Sequence, residues 1–339
     1  MLGTVAKKTE QFPRHCVTSV FDSKPPPLIL SKPVKDVIIE ETIHGTASKI
    51  LVTLTLYGDM GASSISACVK GSFNPKLNEA LPFLSGLYRR EAEFYHYIAP
   101  RLNIALPDTW YVGTDTTNGQ GIVIMGNLKV QGCSFTNPLK PWPINLVEMA
   151  IEQLASLHAS TWGSRVEDIP CANKNDTLVD PIVGLLATEE WNKRFADDAR
   201  PPVPKAMDDR ERIISTFKAL WDSDTRLRCL VHGDGHIGNT FISHDGQPGF
   251  LDWQVTHVGS AMHDDAYFIN ALHLTGGPDL QLQLSGVWEE YRRHTFHGFA
   301  WVLAGPMMQS REVVDVMVER HCAAIIDHQS MELLEGCEE

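Results

Sequence analysis

The chain contains 339 residues, of which 43% are hydrophobic, a length and composition that allow a full core and suggest two domains or lobes. It has no run of about 18 uncharged apolar residues and no apolar N-terminal region like that of a secretory signal, so we predict no membrane association and a cytoplasmic location. The net charge of −13 argues against nucleic acid as a partner, because a phosphate backbone attracts basic surfaces.

Charge is distributed unevenly along the chain. Residues 1–125 contain 12 basic and 11 acidic side chains, and residues 126–339 contain 17 and 31, which gives net charges of +1 and −14. The seven cysteines show no zinc-ligand spacing and are predicted to be free thiols: Cys16, Cys68, Cys133, Cys171, Cys229, Cys322 and Cys337.

The first part of the chain predicts a small sheet followed by a helix. A proline-rich arm leads into strand-like runs at 36–43, 48–57 and 64–70, all rich in Val, Ile, Thr and Leu. Apolar residues at three- and four-residue spacing predict a helix over 81–98, and Glu91 falls on its apolar stripe. An acid facing a core needs a cation as partner.

Two further strands, 109–113 and 121–125, precede a loop rich in Gly, Pro and Asn. Helical patterns dominate the rest of the chain, beginning with a helix over 145–162 for which Asn145 is the expected N-cap. The remaining predictions are short strands at 229–231, 240–243 and 249–251 and helical segments at 263–272, 280–297 and 311–334. Nothing in these patterns indicates an oligomeric state.

Polar residues are concentrated between apolar runs in the sequences HGDGHIGN, from His232 to Asn239, and FLDWQ, at 250–254. Burying a carboxylate is costly unless it is paired or binds a metal, so Asp234 and Asp252 imply partners. Phosphoryl transfer provides a reason for both, because one carboxylate must orient the attacking hydroxyl while another, with an amide, holds magnesium. Asp234 fits the first role, and Asn239 with Asp252 fits the second.

The two motifs resemble the catalytic loop and the metal-binding segment of the aminoglycoside phosphotransferase and choline kinase group, which shares the protein-kinase-like fold. The resemblance implies an α+β class with two lobes, a small, mostly antiparallel β N-lobe and a larger, mainly helical C-lobe. It divides the chain into an arm (1–35), a nucleotide-binding N-lobe (36–127) and a C-lobe with the catalytic loop and acceptor site (128–339). It also implies ATP and Mg²⁺ as cofactors.

The same resemblance assigns further residues to the nucleotide. Lys70, at the end of the third strand, would contact the phosphates and be held by Glu91 from the following helix. Gly45, between the first two strands, would belong to a loop that covers the phosphates, although a plain hairpin turn explains one glycine equally well. Gly126 and Asn127 stand where the family usually has an acid-containing hinge, which leaves the choice between ATP and GTP open.

Three histidines and an aspartate near the motifs are predicted to be mainly structural. The sequence LASLHA, from Leu154 to Ala159, resembles the helix that these kinases place beneath the catalytic loop, which makes His158 a hydrogen-bonded core residue. Asp264 is expected to brace the catalytic loop, and His232 to orient it. His236 is either structural or lines the substrate side.

Two other functions compete with a small-molecule kinase. The set of His232, Asp234, His236, Asp252, His257, His263 and Asp264 is also compatible with a metal-dependent hydrolase, since imidazole and carboxylate are ligands for zinc, iron or manganese. The third possible function is a non-catalytic, kinase-like binding module. Such proteins usually lack one of the key residues, whereas all of the candidate key residues are present in this sequence.

The acceptor is the part of the function that the sequence leaves most open. An acidic C-lobe favours a cationic acceptor such as an amine-bearing alcohol. Equally, the Asp-Trp-Gln sequence at 252–254 resembles the ecdysteroid-kinase-like branch, whose acceptors are neutral and bulky. The segment 163–226 and the helices after 286 would form the acceptor pocket, with Trp191, Trp288 and Trp301 as candidate lining residues.

Overall fold

The computed structural model describes residues 34–57, 63–82, 84–115, 117, 120–169, 179–196, 199–223, 225, 227–270, 285–304 and 308–336. They form two compact units, of which the first comprises the described residues up to Arg101 and Leu106–Ser134. The second comprises Leu102–Ala105 and the described residues from Phe135 onward. The predicted N-terminal arm lies almost entirely outside the described residues.

The first unit is built on a five-stranded sheet with the order β1-β2-β3-β5-β4, in which all neighbouring strands are antiparallel. From Val52 onward, β2 alternates between buried and half-buried residues, and one face of the sheet packs in a core around Val52, Val69 and Ile124. Two α-helices lie between β3 and β4, and the second ends in a π-helical turn, Phe94–Ile98. The elements are β1 Val34–Ile43, β2 Ser48–Leu56, β3 Ser63–Gly71, α1 Pro75–Ala80, α2 Leu84–Glu93, β4 Thr109–Asp115 and β5 Gln120–Gly126.

The second unit is mainly helical and contains short strands around the motif-bearing loops. Its largest core cluster includes Phe217, Phe296 and Met317, all fully buried. The strands are β6 Ser134–Phe135, β7 Arg228–Val231, β8 Thr240–Ile242, β9 Pro248–Phe250 and β10 His257–Ser260. The helices are α3 Ile144–Ser160, α4 Val179–Leu185, α5 Thr188–Arg194, α6 Arg210–Asp222, α7 Ala261–Asn270, α8 Ser285–His294, α9 Ala300–Leu303, α10 Arg311–Asp327 and α11 Ser330–Glu335.

The structure confirms the predicted α+β class, with an antiparallel unit followed by a mainly helical one. Two predicted helix boundaries are wrong. Helix α3 starts at Ile144 after Pro143, so the proposed cap residue Asn145 lies inside its first turn. The segment predicted as one helix over 311–334 is broken by Gln329, whose φ of 52° is incompatible with continuing a right-handed helix.

Four cysteines lie in the described part of the chain, and all four are free thiols as predicted: Cys68, Cys133, Cys229 and Cys322. In that same part, no helix combines the length and the hydrophobicity that crossing a membrane requires.

Candidate active site

The loop after β7 holds the HGDGHIGN motif in a tightly constrained conformation. The His232 ring accepts a hydrogen bond at Nδ1 from the backbone N–H of Asp234 (3.2 Å) and donates from Nε2 to the carbonyl of Leu251 (2.8 Å). Gly233 has a φ of 81°, and a Cβ there would lie 2.6 Å from the carbonyl oxygen of Val255. The predicted role of His232 in orienting the loop is therefore confirmed.

Asp264 braces this loop from α7. Its fully buried carboxylate accepts the backbone N–H groups of His232 (2.7 Å) and Gly233 (2.8 Å) and pairs with Nε2 of His158 (3.0 Å). Burial alone would raise the pKa of Asp264, but the hydrogen bond and charge of His158 and the backbone donors lower it overall. The structural roles predicted for Asp264 and His158 are both confirmed.

Asp234 carries the carboxylate at the centre of the loop. Its Oδ2 accepts a hydrogen bond from Nδ2 of Asn239 (2.9 Å). Burial and the negative charge of Asp252 raise the pKa of Asp234, while the nearby Tyr267 hydroxyl and the Asn239 amide act in the opposite direction. Because 39% of the side chain is exposed, solvent screens part of this shift, and the carboxylate can still meet an incoming hydroxyl.

Asn239 and Asp252 present the oxygen atoms that magnesium prefers. Both side-chain hydrogen bonds of Asn239 use its amide nitrogen, one to the backbone carbonyl and one to the carboxylate of Asp234, which turns the amide oxygen away from that residue. Asp252 has a φ of 68°, the left-handed region that a non-glycine residue adopts at a cost and that is concentrated at functional sites. A divalent cation would offset the repulsion between the Asp234 and Asp252 carboxylates, so this donor set fits magnesium.

Lys70 and Glu91 form a buried ion pair in the first unit. The Lys70 Nζ and the Glu91 Oε1 are 2.7 Å apart, and both residues are at most 4% exposed. The strand end of β3 supplies the lysine and α2 supplies the glutamate, so the acid on the apolar stripe of this helix has the cationic partner that the sequence analysis required.

Gly45 and Asn127 lie at turns of the first unit. A Cβ on Gly45 would make only an ordinary contact with the carbonyl of Ala47 (3.6 Å), so the protein itself does not require glycine there. Asn127 donates from Nδ2 to the hydroxyl of Ser66 (3.0 Å) and accepts the N–H of Lys129 (3.1 Å). The amide thus fixes the turn that follows β5, at the position where the family usually has an acid.

His236 and the three candidate pocket tryptophans lie in packed surroundings. The His236 ring is 3% exposed, accepts the N–H of Gly238 at Nδ1 (3.0 Å) and packs edge-on against Trp301. Trp191 stacks on Phe195, and Trp288 stacks on Tyr291. These contacts give the tryptophans packing roles.

His257 and His263, assigned to a hydrolase site in the alternative reading, instead join His294 and His297 in a buried group of imidazoles. The rings of His263 and His297 stack with centroids 3.6 Å apart, and burial, followed by the neighbouring imidazoles, lowers the pKa of His263 and His297 far below the usual range. Across the described residues, no set of three or more His, Cys, Asp or Glu side chains is arranged to hold a metal ion.

Tyr267 is the site residue that the sequence analysis missed. It lies one turn after Asp264 on α7, and the i, i+3 spacing directs both side chains to the same region of the loop. The pattern Asp-x-x-Tyr in a predicted helix that follows the motif could have indicated it, but Tyr267 lies 33 positions after Asp234 in the sequence.

Comparison with protein families finds a match over residues 83–297, more than half of the chain, to the family described as "Phosphotransferase enzyme family" (APH). A search of curated proteins gives no significant match. Solved structures that are similar include the GDP and kanamycin complex of APH(2")-IIia, with 11% identity, coverage of 88% of this chain and 95% of that chain, and a TM-score of 0.47.

A choline/ethanolamine kinase family protein and a choline kinase are also among the similar structures. A choline/ethanolamine kinase family protein from Mesorhizobium loti has 13% identity, covers 91% of this chain and 95% of its own, and has a TM-score of 0.46. The choline kinase LicA from Streptococcus pneumoniae has 12% identity, the corresponding shares being 87% and 94%, and a TM-score of 0.46.

Proposed function

Because this chain belongs to the phosphotransferase enzyme (APH) family, we propose that it is a kinase that transfers the γ-phosphate of ATP to a hydroxyl group of a small molecule. The observation that carries the proposal is the arrangement of Asp234, Asn239 and Asp252 on one braced loop system. A partly exposed carboxylate next to an oxygen donor set for magnesium is what in-line transfer to a hydroxyl requires.

In the proposed reaction, Asp234 accepts the proton of the acceptor hydroxyl, whose oxygen forms a bond to the γ-phosphorus. The bond between that phosphorus and the β,γ-bridging oxygen breaks, and ADP leaves. A raised pKa suits Asp234 to this task, because a general base works best when its pKa approaches the working pH. Asn239 and Asp252 would hold magnesium, which neutralises charge on the phosphates.

Lys70 would contact the nucleotide phosphates, with Glu91 holding its ammonium group in place. Gly45 would allow the loop between β1 and β2 to approach the phosphates closely. The presence of these residues together with Asp234, Asn239 and Asp252 supports an active enzyme over a non-catalytic binding module. ATP is the proposed donor, and the cytoplasm remains the predicted location.

The proposed acceptor is an alcohol, and two classes compete. An amine-bearing alcohol is favoured by the acidity of the second part of the chain, and a neutral, bulky alcohol by the Asp-Trp-Gln sequence at 252–254. A panel of kanamycin, choline, ethanolamine and a neutral sterol, incubated with magnesium and ATP, separates the two when products are identified by the mass of an added phosphoryl group.

The decisive variant is Asp234→Asn. We expect turnover to fall by about two or more orders of magnitude, the effect of losing a positioned base and its charge, while the fold and ATP binding are retained. Asp245→Asn is the matched control, because Asp245 lies in the exposed turn between β8 and β9. An Asp234→Asn enzyme with the rate of the Asp245→Asn control would show that Asp234 is not the base.

A further inference from the structure

Two lysines lie directly opposite each other at one end of the five-stranded sheet. In the antiparallel pairing of β2 with β3, Lys49 is the partner of Lys70. Residues paired in this way have their side chains on the same face of a sheet, with Cβ atoms about 4.5–5.5 Å apart. The side chain of Lys49 therefore leaves the sheet beside that of Lys70.

The face of the sheet that carries the two lysines is the one on which α2 packs. Ile50, the residue after Lys49, belongs to the core on the other face. Gly121 of β5 lies on the lysine face, because it precedes the partner of Lys70 on that strand by two residues. A Cβ on Gly121 would clash with the backbone of α2, and Glu91 of that helix pairs with Lys70. Both lysines thus lie on the side of the sheet from which the glutamate approaches.

Only one of the two ammonium groups has a carboxylate partner in the described part of the chain. Lys70 pairs with Glu91 at 2.7 Å, whereas no Asp or Glu side chain among those residues lies within 4 Å of the Lys49 ammonium group. Cys68, two residues before Lys70 on the same face, is close to both charges. Burial raises the pKa of its thiol, and the charges of Lys49 and Lys70 act against that rise. Because like charges directly opposite each other destabilise a strand pair, this face has an uncompensated positive charge.

The backbone that carries Lys49 is fixed by the loop before it. The hydroxyl of Tyr88, on α2, donates a hydrogen bond to the carbonyl of Thr46 (2.6 Å). The side chains of His44 and Ser48 are hydrogen-bonded to each other across the turn (3.2 Å), and Ser48 is fully buried. The position of Lys49 at the start of β2 is therefore set partly by the same helix that supplies the carboxylate of the ion pair.

We propose that Lys49 is a second phosphate-binding residue of the nucleotide site, and that a phosphate oxygen of ATP binds between Lys49 and Lys70. The inference rests on the proposed function, in which Lys70 contacts the phosphates. A polyanion neutralises the charge that Glu91 leaves unpaired, and an ammonium group binds phosphate as a point charge. Lys49 is half-buried, so a ligand can still reach its side chain. Its contact contributes to the affinity for ATP and does not involve the transferred proton.

The test compares Lys49→Met, which keeps an apolar stem of similar length, with Lys35→Met. Lys35 is the matched control, because it is an exposed lysine of the same sheet, on β1 beside the opposite end of β2. For Lys49→Met we expect the Kd for magnesium ATP to rise about ten- to a hundredfold, the range for losing a hydrogen bond between charged groups. The Kd for adenosine, which has no phosphate, should stay within about twofold. Lys35→Met should bind both ligands like wild type in isothermal titration calorimetry.

Melting temperatures give a second readout, with effects of opposite sign. Without nucleotide, Lys49→Met should melt at or above the wild-type temperature, because a repulsive cross-strand pair is removed. With magnesium ATP, its melting temperature should rise less than that of wild type, because stabilisation by a ligand follows affinity. An unchanged Kd for magnesium ATP in Lys49→Met would overturn the inference. Equal losses of affinity for ATP and adenosine would also overturn it, because they indicate a damaged site and not a lost phosphate contact.

Binding measured in the Asp234→Asn background separates this inference from the proposed function, because that variant should bind ATP without turning it over. Weaker binding of magnesium ATP after adding Lys49→Met supports the phosphate contact independently of turnover. If ATP binding depends on Lys49 but Asp234→Asn keeps the wild-type rate, the proposed catalytic role is rejected and the phosphate contact stands. Lost turnover in Asp234→Asn together with ATP binding that is independent of Lys49 would reject the role of Lys49 alone.

Discussion

Asp264 lies outside the HGDGHIGN motif in the sequence, yet the hydrogen bonds that its carboxylate accepts control the geometry of the motif loop. One fully buried carboxylate accepts two consecutive backbone N–H groups of the motif loop after β7 and pairs with the imidazole of His158. Leaving any of these donors unsatisfied in a buried site costs free energy, so the loop conformation and the charge of Asp264 depend on each other. The loop that carries Asp234, the proposed catalytic residue, is thereby positioned by a second carboxylate.

The pair of His158 and Asp264 predicts a pH dependence of stability. Burial opposes charge on His158, but the hydrogen bond and the charge of Asp264 outweigh it and raise the pKa of His158 above its ordinary value of 6.5. A histidine whose pKa rises on folding stabilises the fold fully below its unfolded pKa, and this contribution is lost as the pH rises through the folded pKa.

For His158→Gln we therefore expect the deficit in unfolding free energy, relative to wild type, to be largest below pH 6.5 and to shrink at higher pH. Urea denaturation between pH 5.5 and pH 9 measures it. His244→Gln, in the exposed turn between β8 and β9, is the control and should show no such trend. A deficit that grows with pH would contradict the assigned pairing.

At the scale of elements, α2 approaches the sheet so closely that only glycine fits at Gly121. A Cβ at this position of β5 would lie 2.0 Å from the carbonyl oxygen of Tyr88 and 2.7 Å from the N–H of Arg89. Both are backbone atoms of α2, the helix that carries Glu91. The ion pair with Lys70 therefore depends on close packing between a helix and a strand that the motif does not include.

Gly121→Ala should destabilise the protein by about 1–3 kcal/mol, the usual cost of overpacking, because neither backbone can move aside freely. Gly86→Ala, on the exposed side of α2 with no neighbouring atom within 4 Å, should instead stabilise by up to about 1 kcal/mol through better helix propensity. Chemical denaturation of the two variants measures both effects. Equal stabilities would mean that the helix does not lie against β5 as described.

Helices and strands with a regular pattern of hydrophobic residues were predictable from the sequence. Elements that form only through pairing with another part of the chain were not. The five strands of the first unit appear within two residues of the predicted runs, since each alternates or is continuously apolar. Strand β10, His257–Ser260, was missed because it contains two polar residues and a glycine and exists through pairing with β7. Two helix boundaries differ from the predicted ones because of local backbone geometry. Helix α3 starts directly after Pro143, and the left-handed backbone of Gln329 separates α10 from α11.

At the scale of the whole molecule, two short motifs were enough to predict the family and the α+β class, and both predictions are confirmed. Phosphoryl transfer can be predicted from short motifs because it needs a base, an amide and a metal-binding carboxylate at positions that lie close together along the chain. Tyr267 left only the weak pattern Asp-x-x-Tyr, since it comes near Asp234 only when α7 packs beside the loop. Acceptor recognition likewise has no local pattern, because the same scaffold supports many acceptors.

The uneven charge of the chain is the whole-molecule property that bears on the acceptor. Residues 126–339, which include the proposed catalytic loop, have 31 acidic and 17 basic side chains. A net charge of −14 produces a negative potential that concentrates cations and repels anions near the surface. The same charge also serves solubility, so the potential alone does not select between a cationic and a neutral acceptor.

Salt dependence separates these two roles of the charge. The Debye length shortens from about 10 Å at 0.1 M salt to about 3 Å at 1 M, which removes long-range attraction and leaves direct contacts largely intact. If the field recruits the acceptor, kanamycin or ethanolamine should outcompete the neutral sterol, and the KM for the cationic acceptor should rise several-fold over this range. The sterol, which has no charge, is the matched control and its KM should stay constant apart from effects of salt on solubility. A neutral acceptor that is used well, with kinetics independent of ionic strength, would reject electrostatic recruitment and assign the acidic surface to solubility, while the phosphotransferase assignment would stand unchanged.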